Sequence, residues 1–272
     1  MGLYKIWHHA GTKLSAMKNI LTTLLCLLAG SALMAQSSKI AFNGTIEYTK
    51  TINIHAISKH EIGPKPDPLT QQMYDEYKKT RPQFITLKST LVFDKNKTLF
   101  TPIPPTERIY VFQNNPMGTQ FNTIYSDHAK KELVMTKQVY SDQLLIQDST
   151  RKITWRLTDE TRDIAGYTCR RANGLYMDSV SLVAFYTDKI RVNGGPESFS
   201  GLPGMILSLV IPHENVRFDA TKVTLDNADE KKIVPPKSSS KPINYKQVKT
   251  LLQGMVKNWG PTGLYEMKVL LL

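Results

Sequence analysis

Two side chains in this sequence have the chemistry of a nucleophile. They are Cys169, within Gly166-Tyr167-Thr168-Cys169-Arg170-Arg171-Ala172, and Ser200, which opens Ser200-Gly201-Leu202-Pro203-Gly204-Met205-Ile206. A catalytic thiol needs a lowered pKa from a nearby imidazole or cation. Arg170 and Arg171 are the nearest cations in the sequence, but on a strand Cys169 shares its face with Tyr167, and a cysteine in that setting reads as a small buried apolar residue. Ser200 and Ser208 have no basic residue beside them. Gly201 and Gly204 could turn main-chain N–H groups toward an anion. Asp159-Glu160 contains two carboxylates, yet neighbours on a strand face opposite ways and cannot work as an acid and base pair. The histidines after the leader, His55, His60, His128 and His213, lack metal-ligand spacing, and the methionines are scattered, so no metal and no cofactor is expected.

Whatever Cys169 and Ser200 do, strands have to hold them. Pro203 presets φ near about −65° and Gly204 accepts a positive φ, which predicts a type II turn at Leu202-Pro203-Gly204-Met205. The run Met205 to Ile211 contains one polar residue, Ser208, and is predicted to be a central strand covered on both faces. Trp155 has apolar same-face neighbours in Ile153 and Leu157 and reads as core.

Apolar residues alternate at Ile46, Tyr48, Ile52, Ile54 and Ala56, predicting a first strand, and 61–68 is a proline-rich loop. Leu69, Met73, Tyr74 and Tyr77 recur at helical spacing until Arg81-Pro82. Ile85 to Phe93 and Thr98 to Phe100 form a hairpin across a polar turn, and 101–122 is irregular. Further strands are predicted at 132–140, 144–147, 153–158, 166–172, 181–188 and 216–225. Such frequent strands with short polar breaks favour an antiparallel meander over a parallel sheet. Val248, Leu251, Leu252, Met255, Val256 and Trp259 share one helix face, closed by Gly260-Pro261, and that face is expected to dock on the domain. The fold class is therefore mainly β (α+β), a single curved antiparallel sheet with two flanking amphipathic helices.

Lys18, the apolar run from Ile20 to Gly30 and Ser31-Ala32-Leu33-Met34-Ala35 have the three regions of a secretory signal, predicting cleavage after Ala35 and a periplasmic or secreted product. Met17 opens that signal, so the start is either Met1 or Met17. Cys26 follows two leucines, which disfavours a lipid anchor. Cys169 is then the one cysteine left, and no internal disulfide can form. The expected organisation is a leader at 1–35, a β domain at 36–231, a Pro/Ser/Lys linker at 232–242 and a helix with tail at 243–272. The formal charge of +12 is spread thinly, without the basic cluster that nucleic acid requires, and leaves peripheral contact with an anionic membrane open.

The string Gly201-Leu202-Pro203-Gly204-Met205-Ile206 resembles the signature of the GLPGLI family of exported bacterial envelope proteins. The similarity extends upstream to Trp155 with Asp159-Glu160, to Tyr167 and Cys169 in the glycine-tyrosine segment, to Ala184-Phe185-Tyr186-Thr187, and to Gly195-Pro196 before Phe199. The resemblance implies a periplasmic or outer-membrane-associated protein of unassigned activity, and suggests a LolA-like half-barrel. It also implies a partner of the TonB-dependent receptor type. The leading functional expectation is a noncatalytic binding or accessory module that holds an apolar ligand or an outer-membrane partner on the concave sheet face or at the loop before Gly201. A hydrolase using Cys169 or Ser200 is the alternative.

Overall fold

A computed structural model describes residues 40–272 apart from 108, 110, 113, 114 and 226–229. The leader, its cleavage point after Ala35 and Cys26 lie outside the described residues. Among those described, twelve strands form one large open curved sheet. They are β1 (Asn43–Asn53), β2 (Phe84–Asp94), β3 (Lys97–Ile103), β4 (Thr123–Asp127), β5 (Glu132–Val139), β6 (Asp142–Ser149), β7 (Thr154–Ile164), β8 (Tyr167–Tyr176), β9 (Val180–Thr187), β10 (Met205–Ile211), β11 (Val216–Thr224) and β12 (Pro242–Ile243). The order is β12-β6-β5-β4-β3-β2-β1-β11-β10-β9-β8-β7. Two meanders thus meet at β1, which pairs with β2 on one side and with β11 on the other. Every pairing is antiparallel except that of β12 with β6, so the sheet is mixed and not wholly antiparallel as expected.

Alternation explains the faces. Ile46, Tyr48, Lys50 and Ile52 of β1 point inward, and their cross-strand partners Leu91, Ser89, Leu87 and Ile85 of β2 share that side. A second, smaller apolar cluster of Tyr125, Val134 and Ile233 covers the opposite face, with Val92 and Leu99 against it. β10 is buried along nearly its whole length, with Ile206, Leu207 and Leu209 sealed from solvent, as a strand covered on both faces must be.

Five helices accompany the described strands: α1 (Ile54–Ile62), α2 (Pro68–Thr80), α3 (Pro116–Thr119), α4 (Tyr245–Val256) and α5 (Gly260–Leu271). α1 replaces the end of the expected first strand. Asn53 ends β1 because its side chain accepts the Ala56 N–H at 3.0 Å and starts the helix, after which Ile54, Ile57 and Ser58 bury at helical spacing. α2 begins on Asp67 with Pro68 in its first turn and ends at Arg81, but buries only Tyr74. α4 has a complete capping box between Asn244 and Gln247, and buries Val248, Leu252 and Val256 while Leu251, Met255 and Trp259 stay exposed. Gly260-Pro261 opens a further helix instead of ending the ordered chain. Gly260 supplies a φ of 59° for the bend, and a Cβ on Gly263 would lie 2.7 Å from the Val256 carbonyl, so glycine lets α5 fold back on α4. No helix among the described residues is long and apolar enough to cross a membrane.

Candidate functional site

The residues singled out around the hexamer do come together, and what they build is a corner. Gly204 N–H bonds the Leu202 carbonyl at 2.8 Å, closing a three-residue turn on Pro203 instead of the four-residue type II turn expected. Gly204 has a φ of 148°, and a Cβ there would stand 2.1 Å from the Thr187 carbonyl, so only glycine lets β10 start this close to the end of β9. Leu202 is buried beneath the turn while Pro203 is exposed. Met205 and Ile206 then pair with Thr187 and Tyr186. The ladder slips between Ile206 and Ser208, and the Tyr48 hydroxyl donates to the Ile206 carbonyl at 2.6 Å beside that irregularity.

Trp155 fastens the corner from the far edge of the sheet. Its indole N–H donates to the Ser200 carbonyl at 3.0 Å, and its ring lies over Gly174, its cross-strand partner, where a Cβ would come within 2.6 Å. Gly195 and Pro196 are buried, and Gly195 faces Phe199 and Ile206 too closely for any side chain. Cys169 is fully buried, its thiol donates to the Tyr167 carbonyl at 3.4 Å, and burial pushes that thiol up to about 12. A thiol so disposed is the reverse of an activated nucleophile. Tyr167 is half-buried at the tip of the β7–β8 hairpin, and Tyr186 is buried mid-sheet.

The inward face of the sheet is covered by core that includes Val248, Leu252 and Val269 to Leu272. Polar groups are buried with it. Lys50 Nζ lies 3.5 Å from Glu197 and 5.4 Å over the Phe218 ring, and Lys137 Nζ donates to Gln120 Oε1 at 2.6 Å. Burial lowers the Lys137 ammonium to about 7, although Glu197 works in the other direction. Arg151 donates to Ser198 Oγ and to the main-chain oxygens of Leu271 and Leu272, with its guanidinium stacked among Tyr176, Phe199 and Tyr245. A cavity of about 20 Å³ between Lys50, Gln120 and Glu197 holds at most about one water.

A second polar group joins α1, α5 and the end of β5. Glu61 is pushed up to about 7 by burial and then by the charge of Glu266, which itself accepts from the Tyr140 hydroxyl at 2.5 Å. Sequence reasoning missed these residues. Lys137 carried a signal, because it occupies the inward register of Leu133, Met135 and Val139, where the pattern asks for an apolar side chain.

Room for a ligand exists elsewhere. A cleft of about 590 Å³ opens where β2 and β3 part company, walled by Ile54, Ile85, Leu87, Ile103, Pro104 and Pro105, with Arg81, Lys88 and Glu107 along its lining. Its size falls within the range of small-ligand pockets, and its apolar walls with a few charged groups match their usual make-up. β3 ends at Ile103 because Pro104 and Pro105 have no N–H to continue the ladder.

These features define a mainly β domain on one open curved sheet, with a cleft at the end of an interior strand pair. The family model described as N-glycanase peptide, N-terminal domain, matches residues 84–251, from the start of β2 into α4, and the chain belongs to that family. This corrects the GLPGLI assignment: the family match runs through both meanders, whereas the hexamer and its companions describe one corner and the strands beside it. Two solved structures of PNGF-II are similar, one at 17% identity with a TM-score of 0.47, covering 78% of this chain and 33% of that one, and another at 14% with a TM-score of 0.45, covering 74% and 30%. An uncharacterized conserved protein from Thermus thermophilus is similar at 8% identity with a TM-score of 0.36, covering 74% of this chain and 90% of that one. The chain thus spans about a third of the length of the PNGF-II structures. No curated protein matches.

Proposed function

We propose that this chain is an exported, noncatalytic accessory domain of the N-glycanase-related kind, and that the cleft between β2 and residues 103–107 is its ligand site. The observation that carries the reading is the cleft itself, about 590 Å³ of largely apolar wall with three charged groups. Cys169, by contrast, has no exposure, and its thiol is raised to about 12, which counts against the nucleophile reading. The curved sheet, expected to act as a LolA-like half-barrel, serves here as scaffold, because its inner face is occupied by core. The leader at residues 1–35 supports export, and the exposed apolar strip of Leu251, Met255 and Trp259 supports a protein partner over a purely soluble role.

The test uses an N-glycosylated peptide as the probe. Calorimetric titration is expected to register binding, glycan release is expected to be undetectable, Ile85→Arg is expected to remove binding at some cost in melting temperature because Ile85 also packs on the core, and exposed Thr86→Arg is expected to weaken binding with the melting temperature in place. Glycan release that Cys169→Ala or Ser200→Ala abolishes would overturn the proposal.

A further inference from the structure

We infer that the cleft takes an extended polypeptide segment, which enters as an added strand on β2. The inference rests on the reading of the cleft as a ligand site and names what enters it. β2 is paired with β1 down to Asn53↔Phe84, but with β3 only as far as Lys88↔Ile103. Residues Ile85 to Leu87 therefore have a strand on one side and the cleft on the other. The direction of their main-chain groups follows from one bond: the Gln83 carbonyl accepts from Ile54 N–H at 3.0 Å on the β1 side. Because successive residues of an antiparallel strand direct their N–H and C=O groups alternately, Ile85 and Leu87 also face β1, while Phe84 and Thr86 direct theirs away from it, Thr86 into the cleft.

Among the described residues, no strand pairs with β2 on that side beyond Lys88↔Ile103. Pro104 and Pro105 carry no N–H, so the chain leaving β3 diverges instead of zipping onto β2. An interior strand left with an open stretch of ladder is a template for a further extended backbone, with side-chain subsites supplying selectivity. Here the subsites alternate as a strand requires. Ile85 and Leu87 lie toward the interior with Ile54, while Thr86, Lys88 and Ile103 lie on the solvent side. The charges of the lining are two cations, Arg81 and Lys88, against one carboxylate, Glu107, so the occupant that complements the cleft is apolar at alternate positions and net acidic.

The experiment uses the full chain and three probes. The first is a synthetic octapeptide of alternating valine and threonine with glutamate at both ends. The second is the same peptide N-methylated at alternate amides, and the third is a free oligosaccharide of N-acetylglucosamine. The unmodified peptide is expected to bind, with N-methylation weakening it by on the order of tenfold to thirtyfold, the equivalent of losing two main-chain hydrogen bonds. Pro104→Val with Pro105→Val lets β3 extend along β2 and is expected to lower peptide affinity at least about tenfold with the melting temperature unchanged or raised. Thr86→Pro removes one cleft-facing N–H and should weaken binding in the same direction. Equal binding of the methylated peptide, or unaltered affinity in the double variant, would overturn strand addition. If the N-glycosylated peptide still bound in an Ile85-dependent way, that result would leave the ligand-site reading standing. Binding of the oligosaccharide in place of the peptide would also overturn the inference, and absence of any Ile85-dependent binding would remove both readings together.

Discussion

Replacing Lys137 by methionine should change stability by an amount that depends strongly on pH. The ammonium is fully buried on the inward face of β5, with Lys50 and Arg151 adding like charge, and its folded pKa falls from 10.5 to about 7. A shift of that size corresponds to a penalty of at most about 4–5 kcal/mol for holding Lys137 in the fold below pH 7. The sign follows from proton counting. Between about pH 7 and 10.5 the unfolded chain keeps a proton that the folded one has released, so wild-type stability climbs with pH and the penalty is withdrawn. Methionine removes the penalty but leaves Gln120 Oε1 without its donor, at a cost of about 1–3 kcal/mol. The variant is therefore expected to be more stable than wild type by about 1–4 kcal/mol at pH 6, and at pH 10, where most of the penalty is gone and the lost hydrogen bond remains, to be no more stable or less stable by up to about 2 kcal/mol. Urea unfolding of both proteins at pH 6, 8 and 10 measures this directly. A stability difference that stays constant across those pH values would refute the account of Lys137 as a charge held against burial.

Gly204→Ala should destabilise by at least about 2 kcal/mol, because its methyl group meets the Thr187 carbonyl and its φ is strained, and thermal unfolding reads the loss. Tyr48→Phe leaves the Ile206 carbonyl buried without its donor and should cost about 1–3 kcal/mol in the same assay. Cys169 should react slowly with a thiol reagent in the native protein and quickly once unfolded, and rapid native labelling would revive its candidacy as a nucleophile. Glu61 has a folded pKa above its unfolded one, so its contribution is present at low pH and lost as pH rises through about 7; Glu61→Gln should flatten that decline in a pH series of melting temperatures.

Strand content was legible because period-two alternation is strong in β1 and β2, and because a proline-glycine corner must precede β10. The places where reading failed have physical causes. The end of β1 looks like more strand by alternation, and only the Asn53 side chain's competition for the Ala56 N–H makes it a helix. Gly260-Pro261 reads equally well as a stop or as the opening of a new helix, and packing against Val256 decides for the second. β12 consists of two residues recognisable only by their pairing with Leu145 and Ile146. The cleft was illegible because it depends on where two strands separate, a fact of register that no local pattern reveals. Its cause was nonetheless written in the sequence as Pro104-Pro105.

β1 sits at the seam between the two meanders, and its far-side partner is the strand that begins at Val216, with Thr45 opposite Thr224. A chain emerging N-terminus first can complete the β2–β6 arm early, but that arm keeps one raw flank until almost the entire sequence has been delivered. Closing so distant a pair is slow, and the waiting half-sheet is sticky. If the chain is threaded across a membrane in extended form, as the proposed export requires, its survival on the far side depends on how quickly the last quarter of the polypeptide follows the first.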